Sequence, residues 1–211
     1  IELSPLDAFE LFRDRQFSFF IDSGMDPHKL GRYSFIGSDP FMVLSSHGSE
    51  SILTRGLEKS SLSSNPFDIL NHFLEVYRLD PCPSPVPFIG GAVGYFSYDL
   101  CHFIERLPST AVDDLKLPEC YFGFYDLVVA FDNLRGKVYV ISTGFPELRE
   151  DERIERATKR LSEVKDKLTD MSNSGTEAPF TPKSFPTEPV NLKGGFTHKE
   201  YVDAVEKARQ Y

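Results

Sequence analysis

Asp22, Ser23 and Gly24, with Arg32, Tyr33 and Ser34 after them, are the residues whose types and spacing best suit binding chemistry. The first group ends an apolar run on a carboxylate, a hydroxyl and a glycine. The second opens the next run with a cation and an aromatic ring. If the two groups converge, they suit a small amphipathic molecule: the carboxylate takes an amine, Arg32 or backbone N–H groups take a carboxylate, and rings surround the apolar part. The plainer alternative is a hairpin loop held by an internal pair between Asp22 and Arg32. On the residues alone both readings stay open.

Three other groups invite chemistry. Gly90, Gly91 and Gly94 in PFIGGAVGYF suggest a phosphate loop. Their spacing matches neither the dinucleotide fingerprint nor the P-loop, and no Lys-Ser/Thr follows. Glycines beside large aromatics instead predict close backbone approach. Asp99 and Glu105, followed by Asp113 and Asp114, could bind Mg²⁺ or act as acid and base. The simpler reading makes Tyr98 and Asp99 a helix N-cap and Glu105 a surface or ion-paired residue. His28, His47, His72, His102 and His198 show no metal-ligand spacing, and Ser23 lies near no obvious partner for a nucleophilic triad.

Composition bounds the rest. The 211 residues are 40% hydrophobic, enough for a sizeable core, and 19 Phe and 9 Tyr with no Trp make that core aromatic. The net charge of −9 argues against a general nucleic-acid binder, which needs basic clusters. No run reaches the length of a membrane span, and the N-terminus lacks a signal-peptide pattern. Cys82, Cys101 and Cys120 are widely spaced and odd in number, so they read as free thiols in a reducing cytoplasm. The chain starts on Ile and stops inside a helical pattern, which predicts a piece of a longer protein.

The candidate residues must be carried by the following elements. Ser4 and Pro5 open a helix predicted over 4–15. Strands are predicted over 17–21, 32–37, 41–45 and 51–55, with a turn near Gly48. A polar loop follows at 57–64, then a helix over 66–78 capped by Asn65, with Phe67, Leu70, Phe73, Leu74 and Tyr77 inward. Residues 81–87 carry four prolines and form an extended connector. A strand over 90–98, a short helical turn over 99–103 and a loop over 107–117 come next. Residues 121–131 and 137–143 form the clearest hairpin, turning at 132–136. An amphipathic helix spans 147–168, with Ile154, Ala157, Leu161, Val164 and Leu168 inward. Residues 170–191 read as a flexible linker. Thr197 and Glu200 then form a capping box ahead of Tyr201, Val202, Val205 and Ala208. The order is not a strict βαβ alternation, so the fold class is α+β, a layered α/β sandwich with a largely antiparallel or mixed sheet.

Three stretches resemble component I of the chorismate-utilising synthases: PFIGGAVGYFSYDLCHFIERLP, LPECYFGFYDLVVAFDN and FTHKEYVDAVEKARQY. They occur in the family's order. The resemblance implies an N-terminal domain over 1–169, a linker over 170–191 and the start of the chorismate-binding region over 192–211. It implies an intertwined α/β sandwich whose N-terminal part lines a pocket for L-tryptophan. FFIDSG falls on the family's Leu-Leu-Glu-Ser motif, with Asp22 at the acidic position and Ser23 at the serine. Leu30, Gly31, Arg32 and Tyr33 fall on the second pocket segment. Asp for Glu shortens the acidic arm, and Leu30 and Gly31 leave two contacts without polar side chains.

FFIDSG with GRYSFIGSDPF is more similar to aminodeoxychorismate synthases, as is Cys101-His102 where anthranilate synthases often have Val-Arg. The resemblance therefore implies amination of chorismate at C4, with ammonia from a glutamine amidotransferase partner and with Mg²⁺. It places the metal ligands and the catalytic lysine after Tyr211, so no residue of this chain is assigned a catalytic role. The alternatives are anthranilate synthase component I, or a stand-alone module that binds a small molecule.

Overall fold

The computed structural model describes residues 3–23, 26–108, 112–173 and 194–210. The chain divides into two units, Ile1–Glu177 and Ala178–Tyr211. In the first, helix α1 spans only Pro5–Phe9. The Ser4 hydroxyl accepts the Asp7 backbone N–H at 3.1 Å, and proline sits in the first turn, where no N–H is needed. The predicted continuation to Arg15 is instead a series of turns that brings Phe12 into the core.

The strands are β1 (Phe19–Ile21), β2 (Tyr33–Gly37), β3 (Met42–His47), β4 (Glu50–Arg55), β5 (Glu58–Ser63), β6 (Gly91–Phe96), β7 (Cys120–Tyr125), β8 (Leu127–Asp132) and β9 (Lys137–Ser142). They form one sheet of order β1-β2-β8-β9 and a second of order β5-β4-β3-β7-β6. Each pairing between neighbours is antiparallel. Three helices complete the set: α2 (Pro66–Val76), α3 (Glu150–Asn173) and α4 (His198–Arg209).

Each sheet has its own core. Ile36, Leu127, Val129 and Phe131 pack with Ala8 and Phe12 from the N-terminal segment and Val164 and Leu168 from α3. Met42, Leu44, Leu53 and Phe124 pack with Ile69, Leu70 and Phe73 from α2. Helices thus cover one face of each sheet, the layered α+β arrangement that the element order predicts.

Four predictions are corrected by this arrangement. Residues 121–131 are two strands, not one. The chain leaves the five-stranded sheet after Tyr125 and enters the four-stranded sheet at Leu127. All of β8 is buried, so its sequence is a continuous apolar run in which alternation cannot mark the break. Residues 58–63, read as part of a loop, form the edge strand β5, whose side chains are mostly exposed and polar. In the 3₁₀ turn Tyr98–Phe103 the N-cap position falls on Ser97, whose side chain makes no capping bond, rather than on Tyr98 and Asp99. Leu74 and Ile154, both assigned to inward stripes, are exposed.

The helix α3 continues to Asn173, four residues into the stretch read as linker, and 174–191 lie outside the described residues. In the second unit the capping box forms as predicted. Thr197 N–H donates to Glu200 Oε2 at 2.8 Å and Glu200 N–H to Thr197 Oγ1 at 3.3 Å. The bond from Thr197 N–H, with a second from the Thr197 hydroxyl to Glu200 Oε2 at 2.8 Å, holds the Glu200 carboxyl below its usual range. Cys82, Cys101 and Cys120 are free thiols. Among the described residues no helix is long and apolar enough to cross a membrane.

Candidate functional site

The candidate residues lie where β1 ends and β2 begins. Asp22 and Ser23 follow β1, and Arg32 precedes β2. Pairing of Ile21 with Phe35 folds these two segments against each other. Pairing of β2 with β8 then sets Tyr33 opposite Asp132. Arg32 donates to Asp132 through Nε at 3.1 Å and Nη2 at 2.8 Å, a two-pronged bond to a fully buried carboxylate. The guanidinium carbon also lies 4.7 Å from the centroid of the Tyr33 ring.

Asp132 is held below the usual carboxylate range. The hydrogen bond from Arg32 is the main cause, burial opposes it, and the Arg135 backbone N–H adds to it. This pair's contribution is complete above the unfolded carboxylate pKa of about 3.9. It is lost as pH falls through the lower folded value. Asp132→Asn should therefore lower Tm at neutral pH and flatten the acid side of a plot of Tm against pH. An acid side as steep as that of the wild type would refute this role.

A buried hydroxyl joins the two segments. Ser34 Oγ donates to Asp22 Oδ1 at 2.7 Å and accepts from Asn133 Nδ2 at 3.0 Å and Ser23 N–H at 3.4 Å. Asn133 Nδ2 also donates to the Gly31 carbonyl at 3.2 Å, and Asn133 N–H to the Arg32 carbonyl at 2.7 Å. Beside this network Tyr33 stacks on Phe35 at 6.2 Å, and Phe88 meets Phe35 edge-on at 5.7 Å.

Asp22, Ser23, Gly31, Arg32 and Tyr33 are thus brought together, whereas Leu30 is 91% exposed and outside the network. The internal pair between Asp22 and Arg32 does not form, because cross-strand register offers Arg32 the buried Asp132 instead. The residues that position the rest are Ser34, Asp132 and Asn133. Local sequence marks the last two only as turn residues, since the signal that matters is the pairing of β2 with β8. Chemically, the arrangement offers an exposed carboxylate at Asp22, the Ser23 hydroxyl and an aromatic wall. Both bonds to Asp132 use Nε and Nη2, leaving Nη1 of Arg32 outside the pair.

The glycines pack closely. A Cβ on Gly94 would run into the Tyr121 carbonyl, and Gly90 and Gly91 hold φ of +134° and +129°. Among the described residues no group of three or more His, Cys, Asp or Glu could hold a metal ion. The described carboxylates are not grouped as a Mg²⁺ site needs.

Comparison with known proteins places these features in context. The model of the chorismate binding enzyme family matches residues 18–211. Anthranilate synthase component 1 of Acetivibrio thermocellus is 35% identical over 65% of this chain and 28% of its own length. That of Pseudomonas putida is 31% identical over 99% of this chain and 42% of its own. Aminodeoxychorismate synthase component 1 of Klebsiella aerogenes is 32% identical over 67% of this chain and 32% of its own. The chain therefore spans less than half the length of these curated relatives. The crystal structure of anthranilate synthase component I from Streptococcus pneumoniae TIGR4 covers 99% of the chain at a TM-score of 0.63 and 22% identity, a likeness of fold.

Proposed function

The chain belongs to the chorismate binding enzyme family, and we propose that it is the N-terminal part of an aminodeoxychorismate synthase component I. In the proposed reaction ammonia attacks chorismate, a C–N bond forms at C4, the C4–O bond breaks and water leaves. Ammonia would come from a glutamine amidotransferase partner. Mg²⁺ and the reacting side chains belong to the part of the protein beyond residue 211, and this chain supplies the scaffold and a regulatory-type pocket.

The observation that carries the reading is the family match over residues 18–211. The choice of branch is supported by FFIDSG, with Asp22 where the family motif has Glu, and by Cys101-His102. A second reading, anthranilate synthase component I, is favoured by the relatives at 35% and 31% identity. Product fluorescence separates them. Full-length protein given chorismate, Mg²⁺ and ammonia should yield a product that turns fluorescent only after a lyase is added. Anthranilate fluorescence without the lyase would favour the second reading.

The pocket is proposed for L-tryptophan. Asp22 would take the ammonium group, Ser23 Oγ a polar edge, and Tyr33 the apolar part. Calorimetry on full-length protein should show binding that Ser23→Ala weakens by about threefold to tenfold, the loss of one hydrogen bond. No binding heat from the wild type would remove this function from the pocket.

A further inference from the structure

One concavity is lined by neither Asp22 nor Arg32. It has a volume of about 520 Å³ and sits between the C-terminal end of α2, the proline-rich connector and the start of β6. Cavities of roughly 300–1,000 Å³ accept small molecules. Its wall is aromatic: Tyr77 meets Phe41 at 4.9 Å and Phe145 at 5.4 Å, and Phe41 meets Phe124 at 6.2 Å. Gly90 and Gly91 also line it. At Gly90 a Cβ would lie 3.0 Å from the Tyr125 carbonyl and 3.1 Å from Thr143 Cγ2, on a backbone whose φ is +134°. The glycine pair that fails as a phosphate loop therefore shapes the wall of an apolar cavity.

Charge decides what such a cavity accepts. Asp80 lines it, and no Lys, Arg or His does. Asp80 is exposed and makes no hydrogen bond or ion pair among the described residues. Arg78, the nearest cation in sequence, is paired with Glu75 at 3.3 Å. Arg153 stacks on Phe145 at 5.7 Å but is not part of the lining. A carboxylate ligand would meet a like charge with no compensating cation, whereas an ammonium group would meet Asp80 while its ring entered the aromatic wall.

We propose that this cavity is a binding site for a small aromatic amine without a carboxylate, a site separate from the one at Asp22 and Arg32. It does not depend on which chorismate reaction the protein performs. The test is ¹⁹F NMR titration of the intact protein with 4-fluorophenethylamine and with its acid counterpart, 3-(4-fluorophenyl)propionate. The amine should bind saturably and the acid more weakly. Asp80→Asn should weaken the amine by about fivefold, the effect of one partly exposed charge contact. Leu74→Trp, at an exposed lining position, should fill the space and abolish binding. Circular dichroism checks that both variants fold. Equal binding of acid and amine, binding unchanged in both folded variants, or no saturable binding would each overturn the proposal.

Discussion

Replacing Asp126 with alanine is expected to cost about 3 kcal/mol of folding stability, the low end for breaking a buried ion pair. Asp126 is fully buried at the one residue between β7 and β8. Its carboxylate accepts from Arg156 Nε at 3.2 Å and Arg160 Nη2 at 3.1 Å, and its carbonyl accepts Thr143 N–H at 2.8 Å. The pairing therefore ties α3 to the point where the chain changes sheets. The two arginine side chains are 33% and 19% exposed, so after loss of Asp126 they can turn towards water. The carboxylate has no such escape. Replacing both arginines with methionine should cost more than Asp126→Ala, roughly 4–5 kcal/mol, because an unpaired charge is left inside. Urea unfolding midpoints measure both. A double variant less damaging than Asp126→Ala would show that burial of the carboxylate is not what makes the cluster matter.

Gly94→Ala is expected to be nearly as severe, at about 3 kcal/mol, the upper range for overpacking. Gly94 pairs with Phe122 across β6 and β7. An added Cβ would run into the Tyr121 carbonyl and come within 2.7 Å of Phe122 Cα. Both obstacles are backbone, which cannot rotate aside as a side chain can. The clash would prise β6 from the sheet edge and disturb the stacking of Tyr95 on Tyr121, at 6.1 Å. By contrast, Gly48→Ala meets nothing within 4 Å, and its cost is confined to a φ of +52°. Thermal unfolding of the two variants should rank them in that order. Equal Tm values would mean that β6 moves freely away from β7.

Those two residues show what the sequence makes legible. The close packing of Gly94 is readable, because glycine among aromatics in a strand has few other uses. The importance of Asp126 is not. It is one carboxylate inside the run YFGFYDLVVAF, and only the change of sheet gives it two arginines from a helix 30 and 34 residues on. The candidate site divides the same way. Asp22, Ser23, Arg32 and Tyr33 stand out through their chemistry and local spacing. Their partners Asp132 and Asn133 lie about a hundred residues away and are recruited by the register of β2 on β8. Local signals found the caps at Ser4, Asn65 and Thr197, since each is settled within a single turn. They missed β5, a polar edge strand that owes its existence to its neighbour β4.

Product identity decides whether this chain is part of a chorismate-aminating enzyme, as proposed. Full-length protein is supplied with chorismate, Mg²⁺ and ¹⁵N-ammonia, and the product is analysed by mass spectrometry and NMR. Ammonia-dependent consumption of chorismate and a ¹⁵N label bonded to C4 of the ring are expected. Chorismate consumed without ammonia, into a product that carries no nitrogen, would contradict it.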